Sequence, residues 1–157
     1  MRFATDASLG KLGRLLRAAG FDTRCEHQSG GMDFWQKLDP DRIVLTRTRR
    51  IHSELGGRRL VFIRHNAPLD QLLQVAATIP IVKAHLRPFS RCIACNTPTR
   101  RVARDQVYGQ VPPYVWNSHT TFHTCDSCKR IYWAGSHRER ICRRFEMIFK
   151  QKDSITP

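Results

Sequence analysis

Two cysteine pairs carry the most specific chemistry in this chain of 157 residues: Cys92-Ile93-Ala94-Cys95 and Cys125-Asp126-Ser127-Cys128. Each pair offers two thiolates at knuckle spacing, and the chain between them is long enough for a short sheet, which is the ligand supply of a tetrahedral structural zinc site. Cys92, Cys95, Cys125 and Cys128 are therefore read as one four-cysteine zinc ribbon. Two other uses of such pairs stay open, a redox dithiol and a set of disulfides. A redox pair belongs at the start of a helix that follows a strand, whereas both pairs here lie among turn formers and basic residues. Cys25 and Cys142 are expected in apolar surroundings and read most simply as buried fillers. Residues 88–135 hold few apolar runs, so this segment needs a metal to fold, and structural zinc contributes on the order of 10 kcal/mol.

The acids are the second candidate chemistry, and their places depend on the elements that carry them. Residues 2–5 read as a strand ending at Asp6. A helix follows, capped by Ser8, with Leu9, Leu12, Leu15, Leu16 and Ala19 on one face and Gly20 at its stop. Further strands are expected at 21–26, 42–46 and 59–64. Helical stretches are expected after Gly30-Gly31 around Phe34, Trp35 and Leu38, at 49–55 before Gly56-Gly57, and at 68–78. Strand and helix alternate four times with short connections, which points to a small doubly wound α/β domain with a mainly parallel sheet.

In such sheets ligands bind beyond the carboxyl ends of the strands. Asp6 follows the first strand, Asp33 the second and Asp70 the fourth, so all three belong to that edge; Asp22 starts the second strand and reads as a turn or capping residue at the opposite one. Three converging carboxylates offer the oxygen ligands that Mg2+ or Mn2+ prefer, and such ions activate water and stabilise the leaving oxygen in phosphodiester cleavage. The plainer reading, that loop aspartates cap helices, stays open beside it.

The third chemistry is positive charge. Lys and Arg number 27 against 13 Asp and Glu, a formal net charge of +14. Residues 1–82 carry 13 basic and 8 acidic side chains (+5), and residues 83–157 carry 14 and 5 (+9). A polyanion is the default partner of such a surface, and the dominance of arginine, which pairs bidentately with phosphate and stacks on bases, favours nucleic acid, RNA before DNA. An acidic protein or an anionic lipid surface is the alternative.

Lys11, Arg14 and Arg17 form a ridge at spacing three, and Arg138, Arg140, Arg143 and Arg144 surround the apolar stripe Ile141, Phe145, Ile148 and Phe149 of a C-terminal helix opened by Ser136. Between the knuckles, Val111-Pro112-Pro113-Tyr114-Val115-Trp116 reads as an extended loop packed on the ribbon. His119 and His123 are not needed as ligands once four cysteines complete the tetrahedron. Residues 151–157 read as a frayed tail. No apolar run of about 18 residues and no secretory signal is evident, and cysteines used as metal ligands imply a reducing, cytoplasmic compartment. The expected organisation is an α/β domain over residues 1–82 and a zinc ribbon with a basic helix over residues 88–150.

Several stretches together resemble the Mut-seven C-terminal domain family: Asp6 after the first strand, Leu9-Gly10-Lys11-Leu12-Gly13-Arg14-Leu15-Leu16-Arg17, Gly20-Phe21-Asp22, Val44-Leu45-Thr46-Arg47, Pro88-Phe89-Ser90-Arg91-Cys92, Val111-Pro112-Pro113-Tyr114-Val115 and Tyr132-Trp133-Ala134-Gly135-Ser136-His137. The resemblance spans roughly residues 1–145 and implies a PIN-like, ribonuclease-type domain with an appended zinc ribbon, whose acids bind divalent metal for RNA cleavage. Asp6 matches the family's first acid. Where the family commonly has Thr-Arg-Asp after the third strand, this chain reads Thr46-Arg47-Thr48, and Asn66 stands where an acid often follows the fourth. Three functions are compatible with this sequence. The first is a metal-dependent endoribonuclease acting on structured RNA, with Asp6, Asp33 and Asp70 on the ion and Arg14, Arg17, Arg47 and the C-terminal arginines on the RNA backbone. The second is a PIN-like protein that binds ribosomal or transfer RNA without cleaving it. The third is a zinc-ribbon adaptor that recruits a protein partner.

Overall fold

The computed structural model describes residues 1–27, 31–55 and 57–150; Gly30, Gly56 and the expected tail at 151–157 lie outside the described residues. Four parallel strands form the first sheet, β1 (Arg2–Thr5), β2 (Asp22–Cys25), β3 (Ile43–Thr46) and β4 (Leu60–Phe62), in the order β2-β1-β3-β4. The chain passes from β2 on one side of β1 to β3 on the other, so the topological switch point falls between β1 and β3. Around the sheet lie α1 (Gly10–Ala18), α2 (Met32–Gln36), α3 (Arg49–Glu54) and α4 (Pro68–Thr78).

The period of two along each strand divides the apolar side chains between the two faces. Phe3, Ile43 and Leu45 join Leu12 and Leu16 of α1 and Leu72 and Val75 of α4 in the larger core. Ala4 and Val44 point the other way, to Trp35, Leu38, Ile51 and Leu55. Burial on both faces explains why β3 is apolar without alternation. At the end of α1, Gly20 adopts φ 100°, and a Cβ there would lie 2.3 Å from the Arg87 carbonyl oxygen. Its N–H donates to Arg17 O and that of Phe21 to Leu16 O, a Schellman closure. The remaining carbonyls of this helix end receive the chain that leads into the ribbon: Arg87 N–H donates to Ala19 O and Phe89 N–H to Ala18 O.

The second sheet is antiparallel, β5 (Thr99–Val102), β6 (Phe122–Cys125) and β7 (Ile131–Trp133) in that order, over a small core of Val102, Val107, Val111, Val115 and Phe122. The diproline does not make the expected extended loop. Pro113 instead opens a short helix, α5 (Pro113–Ser118), because proline at the first helical position loses no hydrogen bond and has the right φ. The last helix, α6 (Ser136–Lys150), follows the ribbon in sequence, yet its Phe145 and Phe149 are buried in the larger core of the α/β unit beside α1 and α4. The two expected segments are therefore packed together through α6.

Asp22 also has a different place from the turn or cap expected of it. Its two carboxylate oxygens accept from Arg42 Nη1 (2.9 Å) and Nη2 (3.0 Å), and Oδ1 accepts from Asn96 Nδ2 (2.7 Å) in the first knuckle. Burial pushes the Asp22 carboxyl up, but the hydrogen bonds from Arg42 and Asn96 outweigh it and hold the pKa at about 2.

Candidate functional site

The four cysteines converge. Their sulfur atoms all lie within 4.8 Å of one another, Cys92 and Cys128 at 3.6 Å, close to the sulfur–sulfur edge of about 3.8 Å that a tetrahedron of ~2.3 Å zinc–sulfur bonds requires. All six cysteines are free, which sets the disulfide alternative aside.

The two knuckles repeat one backbone geometry. The N–H of Cys92 donates to Thr97 O and that of Asn96 to Cys92 O, while Cys125 N–H donates to Arg130 O and Lys129 N–H to Cys125 O. The residue after each second cysteine is left-handed, Asn96 at φ 67° and Lys129 at φ 59°. No redox helix begins at either pair. Around the sulfurs, Cys95 N–H (3.3 Å) and the Tyr132 hydroxyl (3.0 Å) are hydrogen-bonded to Cys92 Sγ. Burial pushes the Cys92 thiol up, but Tyr132 and the N–H groups of Cys95 and Ala94 bring it down to about 6, whereas the hydrogen bond with Cys128 raises Cys95 to about 12. Four sulfur atoms this close repel one another as thiolates, and a divalent cation removes the repulsion, so the donor set fits a metal such as zinc.

The carboxyl edge of the parallel sheet holds the second site. Asp6, one residue beyond β1, is only 2% exposed. Its Oδ1 accepts from Ser8 N (3.0 Å) and Ser8 Oγ (2.5 Å), and its Oδ2 from Thr46 Oγ1 (2.7 Å), Arg47 N (2.7 Å) and, at 3.4 Å, Thr48 Oγ1. These donors come from the turn after β1 and the end of β3, the two sides of the switch point.

Beside Asp6 stands an acid that the sequence reading left inside a strand. Glu26 follows β2 directly, and its N–H donates to Thr5 O, so the register that pairs Thr5 with Cys25 runs on to bring Asp6 and Glu26 side by side. Glu26 is buried, and its Oε1 has no hydrogen-bond partner. Burial raises its pKa and the Asp6 charge raises it further, against the N–H groups of Ala7 and Gly31 and the Trp35 indole, which lower it. Both acids line one cavity of about 130 Å3, together with Ser8, Trp35, Thr48 and Arg50. Among the described residues neither acid makes an ion pair, and Arg50 Nε is engaged by Glu54 at 2.7 Å. A buried carboxylate oxygen with no donor, next to a second carboxylate and two exposed hydroxyl-bearing side chains, suits a hard cation.

The other two candidate acids are elsewhere. Asp33 lies in the first turn of α2 and Asp70 in that of α4; both are exposed, and neither lines the Asp6 cavity. Acids in these positions stabilise a helix through its dipole. Among the described residues the cysteines are the group of three or more metal-ligating side chains that converges.

The basic residues divide in the same way. Lys11, Arg14 and Arg47 line an open cleft of about 460 Å3 that shares Ala7 and Ser8 with the Asp6 cavity, and Arg47 Nη2 donates to Asn66 Oδ1 at 2.6 Å. Arg17 does not stand with them. It is 5% exposed and donates to backbone carbonyls, from Nε to Thr23 and from Nη1 to Ile93 and Ala94, so it is a strut between β2 and the first knuckle. On α6, Arg140, Arg143 and Arg144 are exposed, and Arg138 is half-buried with its guanidinium 5.3 Å from the Phe89 ring.

A family model described as the Mut7-C RNAse domain matches residues 1–145 of the chain. No curated protein and no solved structure gives a match.

Proposed function

This chain belongs to the Mut7-C RNAse domain family, and from that premise we propose that it is an RNA-binding endoribonuclease. Structured RNA would be cut at the Asp6–Glu26 cavity, and the four cysteines would hold one structural zinc. The observation that carries the proposal is the pair of adjacent buried carboxylates at the carboxyl ends of β1 and β2, one with an unpartnered oxygen, opening beside a cleft lined by Lys11, Arg14 and Arg47.

Asp6 and Glu26 would hold Mg2+ or Mn2+, with Ser8 and Thr48 presenting neutral oxygens. When bound, such an ion polarises the scissile phosphate and lowers the pKa of water. The backbone N–H of Arg47 and the buried Thr46 hydroxyl hold the Asp6 carboxylate in one orientation. The hydroxyls of Ser8 and Thr48, on exposed residues, donate to Asp6 and can turn away from it without breaking a backbone contact. Lys11, Arg14 and Arg47 pair with phosphates on either side of the cut, which sets the register of the strand without reading its bases. Mixed total RNA incubated with the zinc-loaded protein and Mn2+ is the test. Cleavage that stops with EDTA and with Asp6→Ala, while RNA binding survives, supports the proposal; metal-independent cleavage or an unaffected Asp6→Ala overturns it.

A second reading, binding of ribosomal or transfer RNA without cleavage, is favoured by one feature. Thr48 stands where a third acid would complete the site, and its hydroxyl already donates to Asp6. Tight, salt-dependent binding with no turnover in the same assay decides for it.

A further inference from the structure

Two stretches about forty residues apart meet at a cavity of about 160 Å3 on the side of the ribbon where α6 begins. Its walls are Phe89 and Ser90 from the linker, His123 of β6, Tyr132 and Trp133 of β7, and Arg138 in the first turn of α6. Three features mark it as more than a packing defect. The rings of Phe89, Tyr132 and Trp133 and the His123 imidazole line it, and no carboxylate does. Arg138, always a cation, lies over the Phe89 ring with a buried Nε that has no acceptor. Phe89 itself is held at φ 59°, a conformation that a bulky residue rarely adopts, its N–H fixed to Ala18 O and its carbonyl accepting from the Thr99 hydroxyl.

Gly135 fits the same arrangement: a Cβ there would come within 3.1 Å of Trp133 Nε1, so a side chain at this turn would push the indole out of place. An aromatic slot closed by an arginine with an unmet donor, in a chain of net charge +14, matches a planar ring that carries hydrogen-bond acceptors and is joined to an anion.

We propose that this cavity between the linker, β7 and the start of α6 takes one unpaired nucleobase of the RNA, its ring beside Phe89 and Trp133 and its acceptor edge or phosphate on Arg138. The inference rests on the RNA reading above and adds a requirement for a flipped-out or single-stranded base. It also gives Arg138 a role distinct from that of Arg140, Arg143 and Arg144, whose exposed guanidinium groups meet backbone phosphate without selecting strandedness.

The test uses the full zinc-loaded chain with a short single-stranded oligonucleotide carrying one 4-thiouridine and a fully paired duplex of the same length. Arg138→Gln is expected to weaken the single strand on the order of tenfold and to leave the duplex and the zinc content unchanged. Photo-crosslinks from the thiouracil are expected at Phe89, Tyr132 or Trp133. Equal losses for both probes, or crosslinks confined to other residues while the wild type still binds the single strand, overturn the pocket alone. A wild-type protein that binds neither probe overturns the RNA reading and the pocket with it.

Discussion

The two ends of the parallel sheet use acids in opposite ways. At the amino end, every strand-edge acid has an arginine: Asp22 is held by Arg42, which also donates from Nε to Asp39 Oδ2, and Arg2 binds Asp39 and Asp41. At the carboxyl end, Asp6 and Glu26 lie side by side with hydroxyls and N–H groups around them and no ion pair among the described residues. The first arrangement is closed. Its charges are matched inside the chain, and the Asp22 pKa falls to about 2. The second is open, with the Glu26 pKa raised by burial and by its acidic neighbour, a state that stability alone does not favour and that an external cation would relieve.

Breaking the closed end should produce the largest effect on folding. Arg42 is 3% exposed on its side chain and also donates to Phe3 O, so Arg42→Met leaves Asp22 half-buried without its cation. A loss of about 3–5 kcal/mol is expected in urea unfolding; a loss below about 1 kcal/mol would mean that the pairing is ornamental.

At the open end the expected signs separate. Glu26→Gln should lower RNA cleavage on the order of a hundredfold or more, because a metal ligand is gone, while leaving stability at pH 7 unchanged or higher. The sign follows from linkage. An acid whose folded pKa is raised loses stability as pH climbs from its ordinary value of 4.5 toward the folded value, and glutamine removes that loss. A marked drop in melting temperature at pH 7 for this variant would make Glu26 a structural residue.

Acid titration probes the closed end again, with a smaller effect. Because the folded pKa of Asp22 is depressed from 3.8 to about 2, its contribution, on the order of 2 kcal/mol, is complete above pH 4 and disappears as pH falls through 2. Asp22→Asn should flatten the stability curve in that window; an unchanged curve contradicts the assignment. The smallest effect should come from Thr48→Asp, which adds a carboxylate beside Asp6. Mn2+ affinity should rise about tenfold, roughly 1.4 kcal/mol, and no change would place Thr48 outside the ion's reach.

Much of this arrangement is legible in the sequence, and the parts that are not share a cause. Local signals worked. Pro68 and the periodic leucines mark α4 over Pro68–Thr78, the apolar run 43–46 marks the central strand, the CxxC spacing marks the knuckles, and Asp6 ends β1 where the switch-point rule wants a ligand.

What the sequence did not show depended on partners distant in sequence. Glu26 reads as the last residue of a strand, and only the parallel register of β1 and β2 shows that it falls level with Asp6. Aligning the two strand ends would have placed it beside Asp6. Arg17 shares a helical ridge with Lys11 and Arg14, and nothing local reveals that the first knuckle covers that end of the ridge. Asn96 is likewise silent in the sequence, although its side chain binds Asp22 and accepts from Thr23 N–H, joining the knuckle to the edge strand. The apolar stripe of α6 is plain, but an amphipathic helix does not name the core that receives it.

Mn2+ binding to the zinc-loaded protein, followed by electron paramagnetic resonance for the wild type, Glu26→Gln and Asp70→Ala, tests the central claim most directly. One Mn2+ ion per chain is expected, lost or strongly weakened by Glu26→Gln and untouched by Asp70→Ala. Binding that survives Glu26→Gln and disappears with Asp70→Ala would contradict it and return the ion to the acids that the sequence alone suggested.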